Sequence, residues 1–256
     1  MKYRVAVFVA LLVAGGAVVA SGDWDPGDPV KMHWAQTPDP TGWDVSFENK
    51  TLADDFRCMQ SGPITDIHLW VSWRGDVARW DLVHNIHLSI HADIPADPPT
   101  IPYSRPQDPP LWERDLGRVG WAVRVYGDPS PQGWYDPLQP PAVPNNHFVT
   151  WQINITDLPD PFIQQIGQIY WLDVRIELEE PGPAIGWKTS GAPHFNDDAV
   201  WRDDLNDWVE LRDPLEPTKS LDLAFVIVPE PATAALWFFG GLGVAGLVRR
   251  RLRRRC

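Results

Sequence analysis

Residues Ile169–Leu178, IYWLDVRIEL, show a regular alternation of apolar and polar side chains. Apolar side chains occupy every second position from Tyr170 onward, and aspartate, arginine and glutamate alternate with them over the second half. Successive side chains of a β-strand point to opposite faces, so a period of two predicts a strand with one buried face. We therefore expect residues 169–178 to form a strand whose apolar face lies against a core.

The same alternation recurs along the chain, and clusters of proline, glycine and aspartate separate the stretches that carry it. These stretches are ITDIHLWVSW (64–73), NIHLSIH (85–91), VGWAVRVY (119–126), VTWQINI (149–155) and LDLAFVIV (221–228). Short alternating strands divided by turn residues predict an all-β chain with a single antiparallel β-sandwich or jelly-roll-like domain. We place this domain at 45–228, after an irregular leader rich in proline and aspartate at 21–44. The one helical candidate is a turn or two at 161–166, PFIQQI.

The first twenty residues predict a secretory signal peptide. MKYR carries two positive charges, an apolar stretch follows at 5–19, and the small residues Val18 and Ala20 precede the expected cleavage site. That apolar stretch is shorter than the roughly 20 residues that span a bilayer. Its length therefore favours cleavage after Ala20 over a retained membrane anchor.

The C-terminal residues 229–256 predict a membrane segment of defined orientation. An uncharged apolar run at 232–248, expected to be a transmembrane helix, is followed by six arginines: Arg249, Arg250, Arg251, Arg253, Arg254 and Arg255. Arginine clusters resist translocation, so this end should stay in the cytoplasm while the preceding domain lies outside. A stop-transfer anchor does not require Pro229, Glu230 and Pro231, which keep the chain extended just before the apolar run.

This tail resembles the PEP-CTERM sorting signal. VPEP at 228–231, an apolar helix containing a glycine pair and a terminal arginine cluster occur in that order at the C-terminus. In exopolysaccharide-producing Gram-negative bacteria this signal is recognised by an exosortase, a membrane-embedded cysteine transpeptidase-like enzyme. The resemblance implies an exosortase as processing partner and release of the mature domain to the cell surface or extracellular matrix.

Removing both ends changes the net charge of the chain. Two basic residues leave with the signal peptide and six with the tail, so 14 basic residues face 33 acidic ones, a charge near −19 in place of −12. Nucleic-acid binding needs a basic surface, and this composition excludes it. An acidic surface on an exported protein favours solubility, binding of divalent cations or residence in a hydrated polymer matrix.

Cysteine and histidine patterns predict neither disulfides nor a zinc site. Cys256 lies behind the arginines, so Cys58 stands alone, and we interpret it as a small buried apolar residue. His87 and His91 share a strand face but stand roughly 13 Å apart. A zinc ion there would need His68 from a neighbouring strand, and a solvated polar face is the preferred interpretation.

The metal candidate is the acidic stretch HFNDDAVWRDDLNDW (194–208). Calcium binds six to eight oxygen atoms from carboxylates, carbonyls and water, and such loops supply them. Asn196, Asp197, Asp198 and Asp203 are the candidate ligands of a structural calcium ion. The spacing does not match an EF-hand, and a solvated acidic loop is the alternative. The sequence indicates no other cofactor.

Tryptophan is unusually abundant, with 15 residues in the chain. Trp73, Trp121 and Trp151 lie on the apolar faces of predicted strands and are expected in the core. Trp134, Tyr135 and Trp187 lie in or beside predicted turns, in GWYDP and IGWKTS. These three are the candidates for stacking on a glycan.

The central part of the chain also resembles a domain without assigned activity, found in exported proteins of planctomycete-like bacteria that often carry sorting tails. The resemblance runs from about residue 31 to 228, and it implies a single β domain with no catalytic residues to transfer. It rests on LADDFRC, GPITDIHLWVSW, LSIHADIPAD, GWYDP, IYWLDV, GWKTS, NDDAVW and SLDLAFVI.

No catalytic motif favours an enzyme. The sequence lacks a Gly-x-Ser-x-Gly elbow, a His-Glu-x-x-His helix and a phosphate-binding glycine loop. A glycosidase needs only two well-placed carboxylates, and an acidic chain offers too many pairs for any to be informative. We expect a non-enzymatic surface or matrix protein that contacts exopolysaccharide. The alternatives are a secreted glycan-acting enzyme and a carbohydrate-binding module.

Overall fold

A computed structural model describes residues 22–179 and 182–229. These residues form strands and two short 3-10 turns, Arg74–Asp76 and Trp80–Leu82, which confirms the all-β prediction. The strands are β1 (Trp43–Ser46), β2 (Thr51–Arg57), β3 (Gly62–Pro63), β4 (Asp66–Trp73), β5 (Val83–Ile94), β6 (Arg105–Pro106), β7 (Trp112–Asp115), β8 (Trp121–Tyr126), β9 (Gln132–Tyr135), β10 (Val143–His147), β11 (Thr150–Ile155), β12 (Ile163–Gln164), β13 (Ile169–Leu178), β14 (Ile185–Lys188), β15 (Val200–Arg202), β16 (Val209–Glu210) and β17 (Phe225–Val228).

The first sheet contains β10, β9, β1, β14, β4, β11 and β8 in that spatial order. The last strand, β17, also pairs with β4, over residues 66–69, while β14 pairs with residues 71–73. The two short strands therefore share one edge of β4. Pairing is antiparallel throughout this sheet except between β1 and β9, which run parallel.

The second sheet has the order β16, β15, β2, β13, β5 and β6, with β7 also paired to β5. The stretch IYWLDVRIEL forms β13 and lies between β2 and β5 in antiparallel register. Tyr170, for example, lies opposite Phe56 on one side and Ala92 on the other. The predicted strand is thus a central strand of this sheet. A separate two-stranded ladder joins β3 and β12.

One hydrophobic core joins the two large sheets. Leu172 and Val174, at alternate positions of β13, are fully buried in it. Phe56 of the second sheet meets Phe225 of the first edge-on, with ring centroids 6.0 Å apart. Burying each such side chain contributes about 1.5–3 kcal/mol, so the alternating pattern stabilises the pairing of sheets.

The leader covers the other face of the first sheet. Trp24 is 2% exposed, and its ring packs edge-on against Trp70 with centroids 5.6 Å apart. The Trp24 carbonyl accepts hydrogen bonds from Arg124 at 2.6 Å and from Gln152 at 2.8 Å. Trp70, on the face opposite the β4 aliphatics, is therefore completely buried. Although irregular, the leader belongs to the same folded unit as the sheets.

A smaller apolar cluster covers part of the outer face of the second sheet. It contains Ala53, Trp171, Val200 and Trp208, with Tyr103 packed against them. Trp171 alternates with the core residues of β13 and would face solvent on a bare sheet. The hairpin β15–β16 and the loop that carries Tyr103 bury it instead.

The helical turn expected at 161–166 is not formed. Ile163–Gln164 is β12 and pairs with β3, and Gln164 Nε2 donates to the carbonyl of Gln60 at 2.8 Å. These contacts hold the segment extended. The predicted signal peptide (1–20), the apolar run (232–248) and the arginine cluster lie outside the described residues. Within the described parts of the chain, no helix has the length and apolar character needed to cross a membrane.

Candidate functional site

The acidic stretch predicted to bind calcium forms the hairpin β15–β16 and the loop before it. Asp197, Asp198 and Glu210 each offer one carboxylate oxygen, and these oxygens lie within 4.8 Å of one another. The hairpin sets this arrangement, because Val200 pairs with Glu210 and brings the glutamate back beside the two aspartates. We call Asp197, Asp198 and Glu210 the hairpin carboxylates.

Two of the four ligands predicted from sequence belong to this group, and two do not. Asp203 closes its own turn, with Oδ1 accepting the N–H groups of Leu205 and Asn206 at 2.9 and 2.8 Å. Asn196 lies beside the group, and its Nδ2 donates to Asp55 Oδ2 at 2.6 Å. Glu210 could not be predicted from sequence because its position depends on strand pairing, which the spacing of acidic residues does not reveal.

Backbone and hydroxyl donors hold the two aspartates in place. Asp197 Oδ2 accepts the N–H of Ser104 at 2.8 Å, and Asp198 Oδ1 accepts the N–H of Leu221 at 3.0 Å. Arg212 is the cation in contact with the group, 2.7 Å from Asp198 Oδ2 and 2.8 Å from Glu210 Oε1. Burial, followed by the proximity of Asp198, raises the pKa of Glu210 even though Arg212 opposes that rise.

Three further aspartates lie behind the hairpin carboxylates and are fully buried: Asp54, Asp55 and Asp222. Asp54 Oδ2 accepts the Leu223 N–H at 2.6 Å and the Gln36 amide at 2.7 Å. Burial raises the pKa of Asp54 well above its usual range, and the charges of Asp222 and Asp55 raise it further. Burial likewise raises the pKa of Asp55, whose Oδ1 has no hydrogen-bond partner among the described residues.

A serine, a histidine and an aspartate meet on the outer face of the second sheet. Ser89 Oγ donates to Asp173 Oδ1, and His91 Nε2 lies 2.8 Å from Asp173 Oδ2. In a catalytic triad the serine and the aspartate contact different ring nitrogens. Here Ser89 and Asp173 both face Nε2, while Nδ1 lies 3.0 Å from the carbonyl of Gln107.

The geometry makes this group a buried ion pair rather than a nucleophilic centre. His91, Ser89 and Asp173 are at most 2% exposed. Burial opposes a charge on His91, but the hydrogen bond and charge of Asp173 outweigh it, so the pKa of His91 is raised. His87 pairs separately with Asp115 at 2.9 Å, and His68 lies in the other sheet, 2.6 Å from Asn154 Oδ1. The three histidines considered for zinc are therefore not brought together.

A second buried charged group ties three strands of the first sheet. Asp44 Oδ2 lies 2.8 Å from His147 Nε2 and 3.1 Å from Lys188 Nζ, and all three side chains are completely buried. Lys188 also donates to the carbonyl of Gly42 at 3.0 Å. Removing one partner of such a group leaves an uncompensated buried charge, which costs several kcal/mol. The cluster therefore fixes β1, β10 and β14 against one another.

A family model described as "Domain of unknown function (DUF7901)" matches residues 32–228. The chain belongs to this family. The match begins within the leader and ends at the last residue of β17, so the DUF7901 domain includes both sheets, the hairpin carboxylates and the buried aspartates. No curated protein and no solved structure matches the chain.

The DUF7901 domain buries two of the three aromatic residues predicted to stack on glycans. Trp134 is 2% exposed and packs over Gly186, where a Cβ atom would come within 3.0 Å of the indole. Trp187 is completely buried, and its Nε1 donates to the Ala224 carbonyl at 2.8 Å. Both lie in strands rather than turns, so neither has a ring face free for a sugar. Tyr135 is half-buried.

Other tryptophans build a cluster at one end of the domain. Trp80, from a 3-10 turn, contacts Trp73 edge-on at 5.3 Å, Trp151 at 5.5 Å and Trp121 at 6.1 Å. Trp73 is fully buried, which confirms its expected place in the core, while Trp121 and Trp151 pack half-buried against that core. Tryptophan in this domain thus serves mainly to pack the sheets.

The expectation for Cys58 is confirmed. Its side chain is completely buried and unpaired with another cysteine, and burial raises the pKa of the thiol. A buried thiol of raised pKa is a poor nucleophile.

A groove of 920 Å³ opens at the edge of the domain beside β13 and the hairpin β15–β16. Its walls include Arg175, Glu177, Arg202 and Asp203, so it is rich in charged hydrogen-bonding groups. Among the described residues that line it, the one phenyl, phenol or indole ring belongs to Phe47, which is 2% exposed. The groove therefore offers polar contacts rather than an aromatic floor.

Proposed function

We propose that this chain is an exported, non-enzymatic protein of the cell surface or extracellular matrix, built on a jelly-roll-like β-sandwich. Its C-terminal tail, a transmembrane helix before processing, is recognised by an exosortase-type enzyme, and its β domain contacts exopolysaccharide. The order of Pro-Glu-Pro motif, apolar run and arginine cluster supports the sorting step. The acidic charge of the mature domain suits a hydrated polymer matrix.

The observation that carries the non-enzymatic part is the burial of two histidine–aspartate pairs. His91 with Asp173 and His147 with Asp44 are buried pairs that a substrate cannot approach without opening a sheet face. A general acid or base must come within hydrogen-bond distance of the reacting group. These ionisable side chains instead serve to hold strands together.

The groove supports polysaccharide contact in a polar mode. Sugars present hydroxyl groups that charged and amide side chains can bind, and the groove walls carry Arg175, Glu177, Arg202 and Asn206. Trp134 and Trp187 do not stack on a sugar because both rings are buried. The groove would therefore recognise polysaccharide through hydrogen bonds.

The test is retention on a panel of bacterial exopolysaccharides, with product analysis of the same samples. Residues 22–229 are used, because they hold the whole described core and the six tail arginines would bind acidic polymers by charge alone. We expect retention without cleavage, weakened by Arg175→Gln in the groove and unchanged by Arg79→Gln outside it. Released oligosaccharides would contradict the non-enzymatic assignment, and absence of retention across the panel would contradict polysaccharide contact.

A further inference from the structure

We propose that the end of the domain from which the C-terminal tail leaves rests on the lipid surface of the membrane. This inference rests on the proposed function, because it takes the apolar run at 232–248 to be a transmembrane helix. Two loops form the surface, residues 58–63 (CMQSGP) and 161–168 (PFIQQIGQ), and we call them the tail-proximal loops. Three of their apolar side chains are more than half exposed: Met59 at 51%, Ile163 at 52% and Ile166 at 65%.

Hydrogen bonds join the two loops to each other. The short strands β3 and β12 lie within them and pair in antiparallel register. Beyond that ladder, the Ile166 N–H donates to Ser61 Oγ at 2.8 Å, and the Gly167 N–H donates to the Cys58 carbonyl at 2.8 Å. The exposed apolar side chains of the two loops therefore lie in one part of the surface.

This part of the surface adjoins the last strand of the domain. The Lys31 N–H donates to the Ile227 carbonyl of β17 at 2.7 Å, and the Lys31 carbonyl accepts the Met59 N–H at 2.8 Å. Met59 is thus linked to β17 through the backbone of a single residue. Only residues 229–231 separate Val228, the end of β17, from the apolar run, so about 14 Å of extended chain at most joins the two.

The composition of the tail-proximal loops fits a lipid surface. Neither loop contains a charged residue, although the predicted mature chain has a net charge near −19; Arg57 and Asp160 immediately precede the two loops. A bilayer surface that contains anionic lipid repels acidic groups, so an uncharged end can approach it most closely. Apolar side chains on such an end bury themselves at the headgroup boundary.

A second copy of the chain fits this surface less well. A stable dimer buries roughly 800 Å² on each partner, which three partly exposed side chains do not supply. A tethered lipid contact needs less area, because the short connection to the apolar run already holds the loops near the bilayer. Lipid is therefore the occupant that the exposed area and the position of the loops both favour.

The control position for a test must be exposed and distant from the tail-proximal loops. Leu205 is 92% exposed and follows β15, whose Arg202 pairs with Thr51 at the start of β2. The loop 58–63 follows the end of β2, and a strand of seven residues covers roughly 20 Å. Leu205 therefore lies at the opposite end of β2 from the proposed contact.

The test places one fluorophore on the full chain, reconstituted in vesicles of neutral phosphatidylcholine. In a Cys256→Ser background, an environment-sensitive label is attached at Ile166→Cys or at Leu205→Cys. Cys58 is completely buried and stays unlabelled in the folded protein. Nitroxides on the lipid headgroups quench labels that contact the bilayer surface. We expect quenching several-fold stronger at position 166 than at position 205, with a blue-shifted emission at position 166 alone.

Flotation of the vesicles separates a failure of this inference from a failure of the proposed tail. A chain that does not float with the vesicles would contradict the transmembrane helix, and the inference would fall with it. A chain that floats but shows equal quenching at the two positions would overturn the inference alone. A blue shift without quenching would indicate contact with another protein chain and also overturn it. Should Ile166→Cys misfold by circular dichroism, Ile163→Cys reports from the same surface.

Discussion

Single residues set how this domain responds to pH, and His33 is the clearest case. Its ring stacks on Phe195 with centroids 3.8 Å apart, and Nδ1 accepts the N–H of Arg57 at 3.2 Å. Burial, aided by the charge of Arg57, lowers the pKa of His33 from 6.5 to about 3. The folded protein therefore keeps this ring neutral where the unfolded chain would protonate it.

His33 should destabilise the fold in acid. Because its folded pKa lies below its unfolded value, its contribution is fully present above about pH 6.5 and is lost as the pH falls towards 3. His33→Asn keeps an acceptor for Arg57 but cannot titrate. Comparing urea midpoints at pH 7.5 and pH 5, we expect the wild type to lose more stability than the variant. An equal loss in both proteins would contradict this role.

The sequence predicted burial of apolar residues but not burial of charged ones. Trp73 was predicted correctly because it alternates with polar neighbours, and Cys58 because it has no second cysteine to pair with. Asp44 and Lys188 are completely buried against expectation for charged residues, and their contact with each other and the further partners His147 and Gly42 compensate for that burial. The adjacent pair Asp54 and Asp55 carried an unused signal, because on a strand one of two consecutive residues must face the core.

At the scale of elements, alternation in the sequence predicted six strands but missed the seven-residue β2, where the adjacent Asp54 and Asp55 interrupt the period. β4, β5, β8, β11, β13 and β17 all lie within or overlap the stretches chosen from sequence. β1 and β14 are buried on both faces, so WDVS and IGWK show no alternation to detect. The hairpin β15–β16 is too short for a period, and this is why the position of Glu210 beside Asp197 and Asp198 could not be predicted.

The leader should be a structural element despite its irregular backbone. Trp24→Ala removes a ring that is 2% exposed and packed on Trp70, and loss of a buried tryptophan costs about 3 kcal/mol or more. Trp34→Ala is the matched control, because Trp34 is 36% exposed in the same segment. Chemical denaturation should show a clearly larger loss for Trp24→Ala. Similar losses would mean that the leader does not seal the first sheet.

At the scale of the whole molecule, the tail should decide where the domain resides. If the sorting hypothesis holds, replacing Pro229, Glu230 and Pro231 with alanines removes the extended motif that the proposed processing enzyme recognises, because two prolines disfavour a helical backbone there. We expect unprocessed protein to accumulate in the membrane of an exosortase-containing host. Membrane fractionation and immunoblotting measure the amount of unprocessed protein. As a control, a chain carrying Thr218→Ala should be processed like the wild type. Normal processing of the alanine variant would contradict the sorting hypothesis.

The burial of lysine has a practical consequence for handling the molecule. Of the four lysines between residues 22 and 229, Lys31, Lys50 and Lys188 are at most 2% exposed, whereas the side chain of Lys219 is 59% exposed. Amine-reactive dyes and sensor-chip coupling would therefore modify the folded domain at Lys219 and at its terminal amine. Immobilised molecules would be attached at one of these two amines, and labelling of the three buried amines would report unfolding.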